Sequence, residues 1–133
     1  MRTADTSVLV AAFASWHEKH EAALQVLDGN LRLIGHCALE TYSVLTRLPA
    51  PHRAPSDLVR QFLRQRFSHA HLQLSVAAYR SFVLQLPDHE IAGGAVYDAL
   101  IAATAAHAGA DLLSCDQRAA TIYERYGVRT RLL

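Results

Sequence analysis

The sequence predicts an α/β domain of three layers, α/β/α, with a parallel sheet flanked by helices. Three observations predict it. Short apolar runs alternate with longer segments of helical periodicity along the chain. Glycine or proline marks most of the handovers between them. The 133 residues, 51% of them hydrophobic, suffice for one core and are too few for two, so residues 1–133 are read as a single domain. Strands that alternate with helices pair parallel, and right-handed crossovers cover both faces of their sheet.

The elements follow in order. Residues 2–5 form a short strand that runs into Thr6 and Ser7, and residues 8–14 read as a helix. Residues 17–28 form a second helix, with Ala23, Leu24 and Leu27 as its apolar stripe and Gly29 as its stop. A strand at 31–34 ends at Gly35, and the helix over 37–48 carries Val44, Leu45 and Leu48 on one face. Pro49, Pro51 and Pro55 force an extended loop. Ser56 is placed to cap a helix whose core face is Leu58, Val59, Phe62 and Leu63. Residues 71–74 form a short strand, and Ser75 caps a helix over 76–86 that Pro87 closes. Gly93-Gly94 marks a turn, and the helix over 95–107 ends at Gly109. A strand at 111–114, a helix over 117–126 stopped by Gly127, and a last strand at 128–132 complete the chain.

Composition excludes several classes. The two cysteines, Cys37 and Cys115, lack metal-motif spacing and are too few for a secreted disulfide scaffold, so both read as reduced core residues. The longest apolar stretch, 99–106, is too short to span a bilayer. No cationic segment precedes an apolar run at the start, and a soluble cytoplasmic protein without membrane contact is expected. A net charge of +1 argues neither for nor against nucleic acid. Lys19 is the only lysine. The arginine bias suits phosphate contacts, but a GC-rich coding sequence is the weightier account of it.

Four acids fall at comparable places. Asp5 ends the first strand, Glu40 lies in the first turn of the helix after the second, Asp98 in the first turn after Gly93-Gly94, and Asp116 just beyond the strand at 111–114. In a doubly wound sheet such points share one edge, where ligands bind. Crowded carboxylates repel one another, and a divalent cation removes the conflict. Hard oxygen ligands suit Mg²⁺ or Mn²⁺ over Zn²⁺, and a cation so held activates water and neutralises charge on a phosphate. The opposing reading is that acids at helix starts are caps. Asp57, Glu90 and Asp111 also lie near turns, so position alone does not decide.

Local sequence adds to this. Arg2-Thr3-Ala4-Asp5-Thr6-Ser7 resembles the opening of PIN-domain proteins, and His36-Cys37-Ala38-Leu39-Glu40-Thr41-Tyr42 resembles their second motif. The run from Val96-Tyr97-Asp98-Ala99 to Thr104-Ala105 is similar to the third, and Leu113-Ser114-Cys115-Asp116-Gln117-Arg118 to the fourth, with a hydroxyl two places before the acid. In order and length the chain resembles VapC-type toxins. That resemblance implies a PIN-like fold and the toxin of a type II toxin–antitoxin pair. It implies a Mg²⁺- or Mn²⁺-dependent endoribonuclease, often a homodimer, silenced by a cognate VapB-like antitoxin. It implies Asp5, Glu40, Asp98 and Asp116 as the catalytic set, with direct metal contacts from Asp5 and Asp98. Residues 49–86 carry little of the resemblance and are left to substrate or partner contacts.

Other residues have two readings each. Thr6, Ser7 and Ser114 either orient water or a phosphate oxygen, or satisfy backbone beside a strand end. Arg118 either grips a phosphate, which with Ser114 makes it a substrate-binding candidate, or is solvated. His17 and His20, like His69 and His71, lack an evident third ligand and read as solvated. Trp16, Tyr42 and Tyr97 have the faces to stack on bases, yet aromatics at such places are usually core. Two rival functions remain. A phosphoryl-accepting Mg²⁺ domain would want a lysine near the last strands or a second Asp at position 7, and neither is present. A non-catalytic PIN-fold binding module would have no need of the four acids.

Overall fold

A computed structural model describes residues 1–133. Four strands, β1 (Arg2–Ala4), β2 (Leu31–Leu33), β3 (Asp111–Ser114) and β4 (Thr130–Leu132), lie in the order β2-β1-β3-β4, and every neighbouring pair is parallel. Helices α1 (Thr6–Phe13) and α2 (His20–Val26) join β1 to β2. The long return from β2 to β3 carries α3 (Gly35–Arg47), α4 (Ser56–Arg66), α5 (Val76–Gln85) and α6 (Ala95–Ala108); α7 (Gln117–Arg125) joins β3 to β4. The chain therefore steps one way from β1 to β2 and the opposite way from β3 to β4. Right-handed crossovers send the two sets of connecting helices to opposite faces, which gives the three-layer arrangement. Between the carboxyl ends of β1 and β3 the chain departs to both sides, and a crevice opens there.

The central strands are buried on both faces. Thr3 and Ala4 of β1, and Leu112, Leu113 and Ser114 of β3, have almost no exposure. That is why these segments show no alternation of buried and exposed positions. The main core joins them to Val8 and Leu9 of α1, Ile101 of α6 and Tyr123 of α7. A smaller cluster of Leu45, Ala54 and Val59 fixes α4 under α3. The buried face of α6 is mostly alanine, with Ala99, Ala102 and Ala105 beside Ile101, so its backbone comes close to its neighbours. Gly109 ends this helix at φ 68°, a left-handed conformation in which a side chain is strained, and its N–H reaches back to Ala105 and Ala106.

Several expectations are corrected. Residues 71–74 make no strand: one parallel bridge joins Leu72 to Ile34, and the chain then turns into α5 at Ser75. Pro55, not Ser56, is the N-cap of α4, because the N–H groups of Leu58 and Val59 bond to the Pro55 carbonyl. Leu58 faces solvent at 47% exposure, so Val59 alone is fully buried on that helix. The second helix begins at His20, since His17 to Lys19 form a turn closed by Lys19 N–H on His17 Nδ1. Glu40 lies in the second turn of α3, because that helix starts at Gly35. Cys37 is buried as expected, whereas Cys115 is half-buried at the sheet edge; both are free thiols. No helix is long and apolar enough to cross a membrane.

Neighbours on α6 give a stability test. Ile101 is 2% exposed in the main core, while Leu100 is only partly buried. Ile101→Ala is expected to cost about 2–5 kcal/mol and Leu100→Ala distinctly less. Urea melts of the two variants check this, and equal losses would contradict the packing described.

Candidate active site

The crevice between β1 and β3 is where the acids meet. Asp5 follows β1 directly and is the N-cap of α1, accepting the N–H groups of Ser7 at 3.0 Å and Val8 at 3.4 Å. Asp116 lies just past β3 and caps α7, accepting those of Arg118 at 2.9 Å and Ala119 at 3.3 Å. The parallel register that aligns Ala4 with Leu113 sets the two caps side by side. Glu40 reaches in from α3 and Asp98 from the first turn of α6. All four line one cavity of about 60 Å³, together with Thr6, Ser7, Ile101, Ala119 and Tyr123. No basic side chain is among the lining residues.

Asp5 is 2% exposed, and its carboxylate is held by five donors. Oδ1 takes both the backbone N–H and, at 2.5 Å, the hydroxyl of Ser7, as well as Val8 N–H. Oδ2 takes the Ser114 hydroxyl at 2.5 Å and the Tyr123 hydroxyl at 2.8 Å. About four lone-pair sites exist on a carboxylate, so a cation reaches Asp5 only when one of the three hydroxyls turns away. Burial pushes its pKa up, and Ser114, Ser7 and Tyr123 pull against that push without reversing it. The same hydroxyls tie the strand ends together: Ser7 Oγ accepts Cys115 N–H at 2.8 Å, and Ser114 Oγ accepts Asp116 N–H at 2.9 Å.

Asp98 and Glu40 are held differently. Partial burial, then the charges of Asp116, Asp5 and Glu40, raise the Asp98 pKa to about 6. Glu40 moves the other way, held below its ordinary range chiefly by His36, whose Nε2 stands 3.4 Å from Glu40 Oε2. The pair is in contact without an aligned hydrogen bond, and His36 Nε2 has no other partner. One carboxyl thus resists ionisation and its neighbour accepts it, a separation typical of reactive acid pairs.

The donor set fits a hard divalent cation. Its acids are all carboxylates, and burial together with the neighbouring acids raises the Asp98 pKa to about 6, a conflict a cation would relieve. The Thr6 hydroxyl on the same wall is buried without a partner. The side chains do not yet converge, since no three of the His, Cys, Asp and Glu groups stand where one ion would be held by all of them.

The remaining candidates sort clearly. Ser114 is fully buried against Asp5, so it positions that acid and offers no surface to a substrate. Arg118 is exposed on the first turn of α7, outside the cavity lining. His20 Nδ1 pairs with the Ala11 carbonyl at 2.8 Å and His69 Nε2 with that of Gly29 at 3.2 Å, so neither pair of histidines forms a metal site. Trp16, Tyr42 and Tyr97, expected in the core, are all exposed. Tyr123 and His36 were not singled out. Tyr123 follows Asp116 by two helical turns along the stripe of Ala119 and Ala120, and His36 precedes Glu40 by one turn, so helical spacing alone locates both.

A doubly wound parallel sheet with four carboxylates at its switch point defines an α/β domain with an acidic pocket. The PIN domain family matches residues 3–125, and the chain belongs to that family. It is 50% identical over 129 residues to Ribonuclease VapC40 of Mycobacterium tuberculosis, in strains CDC 1551 / Oshkosh and ATCC 25618 / H37Rv, which covers 97% of this chain and 96% of the relative. It is 44% identical over 126 residues to Ribonuclease VapC27 of strain H37Rv, covering 93% and 90%.

The charge on Asp98 has a measurable sign. Its folded pKa of about 6 lies above the ordinary 3.8, so the folded protein keeps a proton that the unfolded chain releases. This contribution is full below the ordinary value and is lost as pH rises through the folded one. Thermal melts without metal are expected to show wild type losing stability relative to Asp98→Asn between about pH 4 and 6. At neutral pH the variant then melts at or above wild type. A neutral-pH loss as large as that of Ile101→Ala would make Asp98 a structural acid.

Proposed function

We propose that the chain is the toxin of a type II toxin–antitoxin pair, a Mg²⁺- or Mn²⁺-dependent endoribonuclease that hydrolyses RNA phosphodiester bonds. One observation carries the reading: four carboxylates line a single crevice free of basic side chains, in a chain half identical to a protein called a ribonuclease. When bound, the cation supplies water activation and neutralises charge on the phosphate. Asp5 and Asp98 would hold it directly, once a hydroxyl donor turns away from Asp5, and Glu40 and Asp116 would complete the pocket. Ser7, Ser114 and Tyr123 orient Asp5 through the bonds described. Arg118, exposed two residues after Asp116, would meet an RNA phosphate outside the pocket. In the hydrolysis, water oxygen bonds to phosphorus, the bridging P–O bond breaks, and the departing oxygen takes a proton.

The phosphoryl-accepting alternative fits poorly. Ser7, a donor to Asp5, stands where a second acid would be wanted, and no lysine lines the pocket. A cytoplasmic homodimer silenced by a VapB-like antitoxin completes the proposal, and its support is the likeness to the VapC-named relatives.

Purified protein is expected to cleave RNA with Mg²⁺ or Mn²⁺ and to lose cleavage in excess EDTA. Asp98→Asn should abolish cleavage while the fold persists. Full activity in EDTA, from protein free of contaminating nuclease, would sink the metal-dependent reading.

Expression alone should halt growth, and co-expression of a small cognate protein should restore it. Strong, harmless expression of soluble wild-type protein would overturn the toxin assignment.

A further inference from the structure

A second cavity, of about 210 Å³, lies beside the acid pocket. Its apolar walls include Ile34, Leu72 and Leu100, and its polar groups are those of His36, Gln73, Tyr79 and Thr104, the last spent on the Leu100 carbonyl. Two helices serve both cavities. On α3, His36 lines this one and stands 3.4 Å from Glu40. On α6, Leu100 lines this one, while Asp98 and Ile101 line the acid pocket. The space is smaller than the ~300–1,000 Å³ that holds drug-sized ligands, and suits one flat ring system.

Its polar edge is built. Gln73 lies over the start of α3 so closely that a Cβ on Gly35 would sit 2.8 Å from Gln73 Nε2. An amide presents both donors and an acceptor, the equipment that reads a base edge. His36 Nε2 makes no aligned hydrogen bond, and its ring stacks parallel on Tyr97, at 5.6 Å between centroids and 4° between planes. Tyr97 is 57% exposed, so the stack continues the cavity wall out to solvent.

We propose that this cavity receives one nucleobase of the RNA next to the bond that is cut, and that Gln73 reads its edge. The inference rests on the ribonuclease reading of the neighbouring pocket. It makes Gln73 and Gly35 determinants of cleavage sequence, separate from the acids that perform the reaction. A chain entering the acid pocket must place an adjoining nucleotide nearby, and single-stranded RNA is recognised by splayed bases set on apolar and aromatic walls.

Free nucleosides test it without metal or catalysis. Adenosine, cytidine, guanosine and uridine are titrated separately into ¹⁵N-labelled wild type, with the Gln73 side-chain amide and the Leu72 and Leu100 backbone amides observed by NMR. One nucleoside is expected to shift these signals at lower concentration than the others. Gln73→Ala should weaken that nucleoside by roughly threefold to tenfold, the worth of about one hydrogen bond. Gly35→Ala, which displaces the amide while sparing the walls, should repeat the effect. Mapping of RNA ends cut by wild type and Gln73→Ala is the paired measurement, and base bias at one position beside the cut should flatten.

Shifts absent for all four nucleosides, with the cut bias of Gln73→Ala unchanged, would overturn the base site while leaving the ribonuclease reading intact. Selective nucleoside shifts in a protein that cuts no RNA would support the base site and sink the ribonuclease reading. A different occupant is a second copy seated through the exposed Val76 and Val83 of α5. Nucleoside-insensitive cavity signals that instead change with protein concentration, in step with sedimentation, would give the cavity to that copy.

Discussion

Burying one ionisable carboxyl organises this end of the molecule. Taken from water, an unpaired carboxylate costs several kcal/mol or takes up a proton. Asp5 is supplied instead with donors from three elements: the first turn of α1, the end of β3 and α7. Each of the three elements must be in place for its donors to reach, so the acid acts as a joint. With it, β1 and β3 stay in register to their last residues, and α7 packs with Tyr123 inward. Replacing Asp5 therefore touches the fold as well as any chemistry at the site.

Capping and function are not opposed at these positions. Asp5 and Asp116 both cap helices, as the simple account of acids at helix starts requires. That duty fixes where they point, and the switch between β1 and β3 brings the two caps onto one cavity. Glu40 and Asp98 have no capping role in their helices. They add negative charge to a place already charged, and the raised Asp98 pKa registers the conflict. Two acids are anchored by the fold and two are set against them.

The layer architecture was legible because it rests on local rules. Glycine stops, proline breaks and apolar runs mark α6, β3 and α7 to within a residue or so. The four acids were legible because strand ends are where a doubly wound sheet gathers ligands. Failures came where a distant partner decides. Residues 71–74 have strand-like composition, yet β2 ends at Leu33 and leaves a single bridge for Leu72. Pro55 displaced Ser56 as a cap through backbone geometry that side-chain preference does not report. The exposed aromatics were misread because average burial does not report that Trp16 lies against His52 and Tyr97 against His36 at the surface, and Ser114 because its partner lies 109 residues away.

Selectivity and chemistry share their supports here, which limits how far either can vary alone. Successive turns of α3 carry His36 and then Glu40, and successive residues of α6 face the two cavities in turn. Rotation of either helix by one position would move an acid and a wall of the second cavity together. The small buried face of α6 restrains such movement, since close-packed alanines leave no slack for a shifted register. Gln73 is the exception. It comes from the loop between the Leu72 bridge and α5, outside every strand and helix, and reaches the cavity over a glycine. A position of that kind changes without disturbing Asp5, Asp98 or the core beneath them, so sequence preference is free to diverge there while the acid pocket stays fixed.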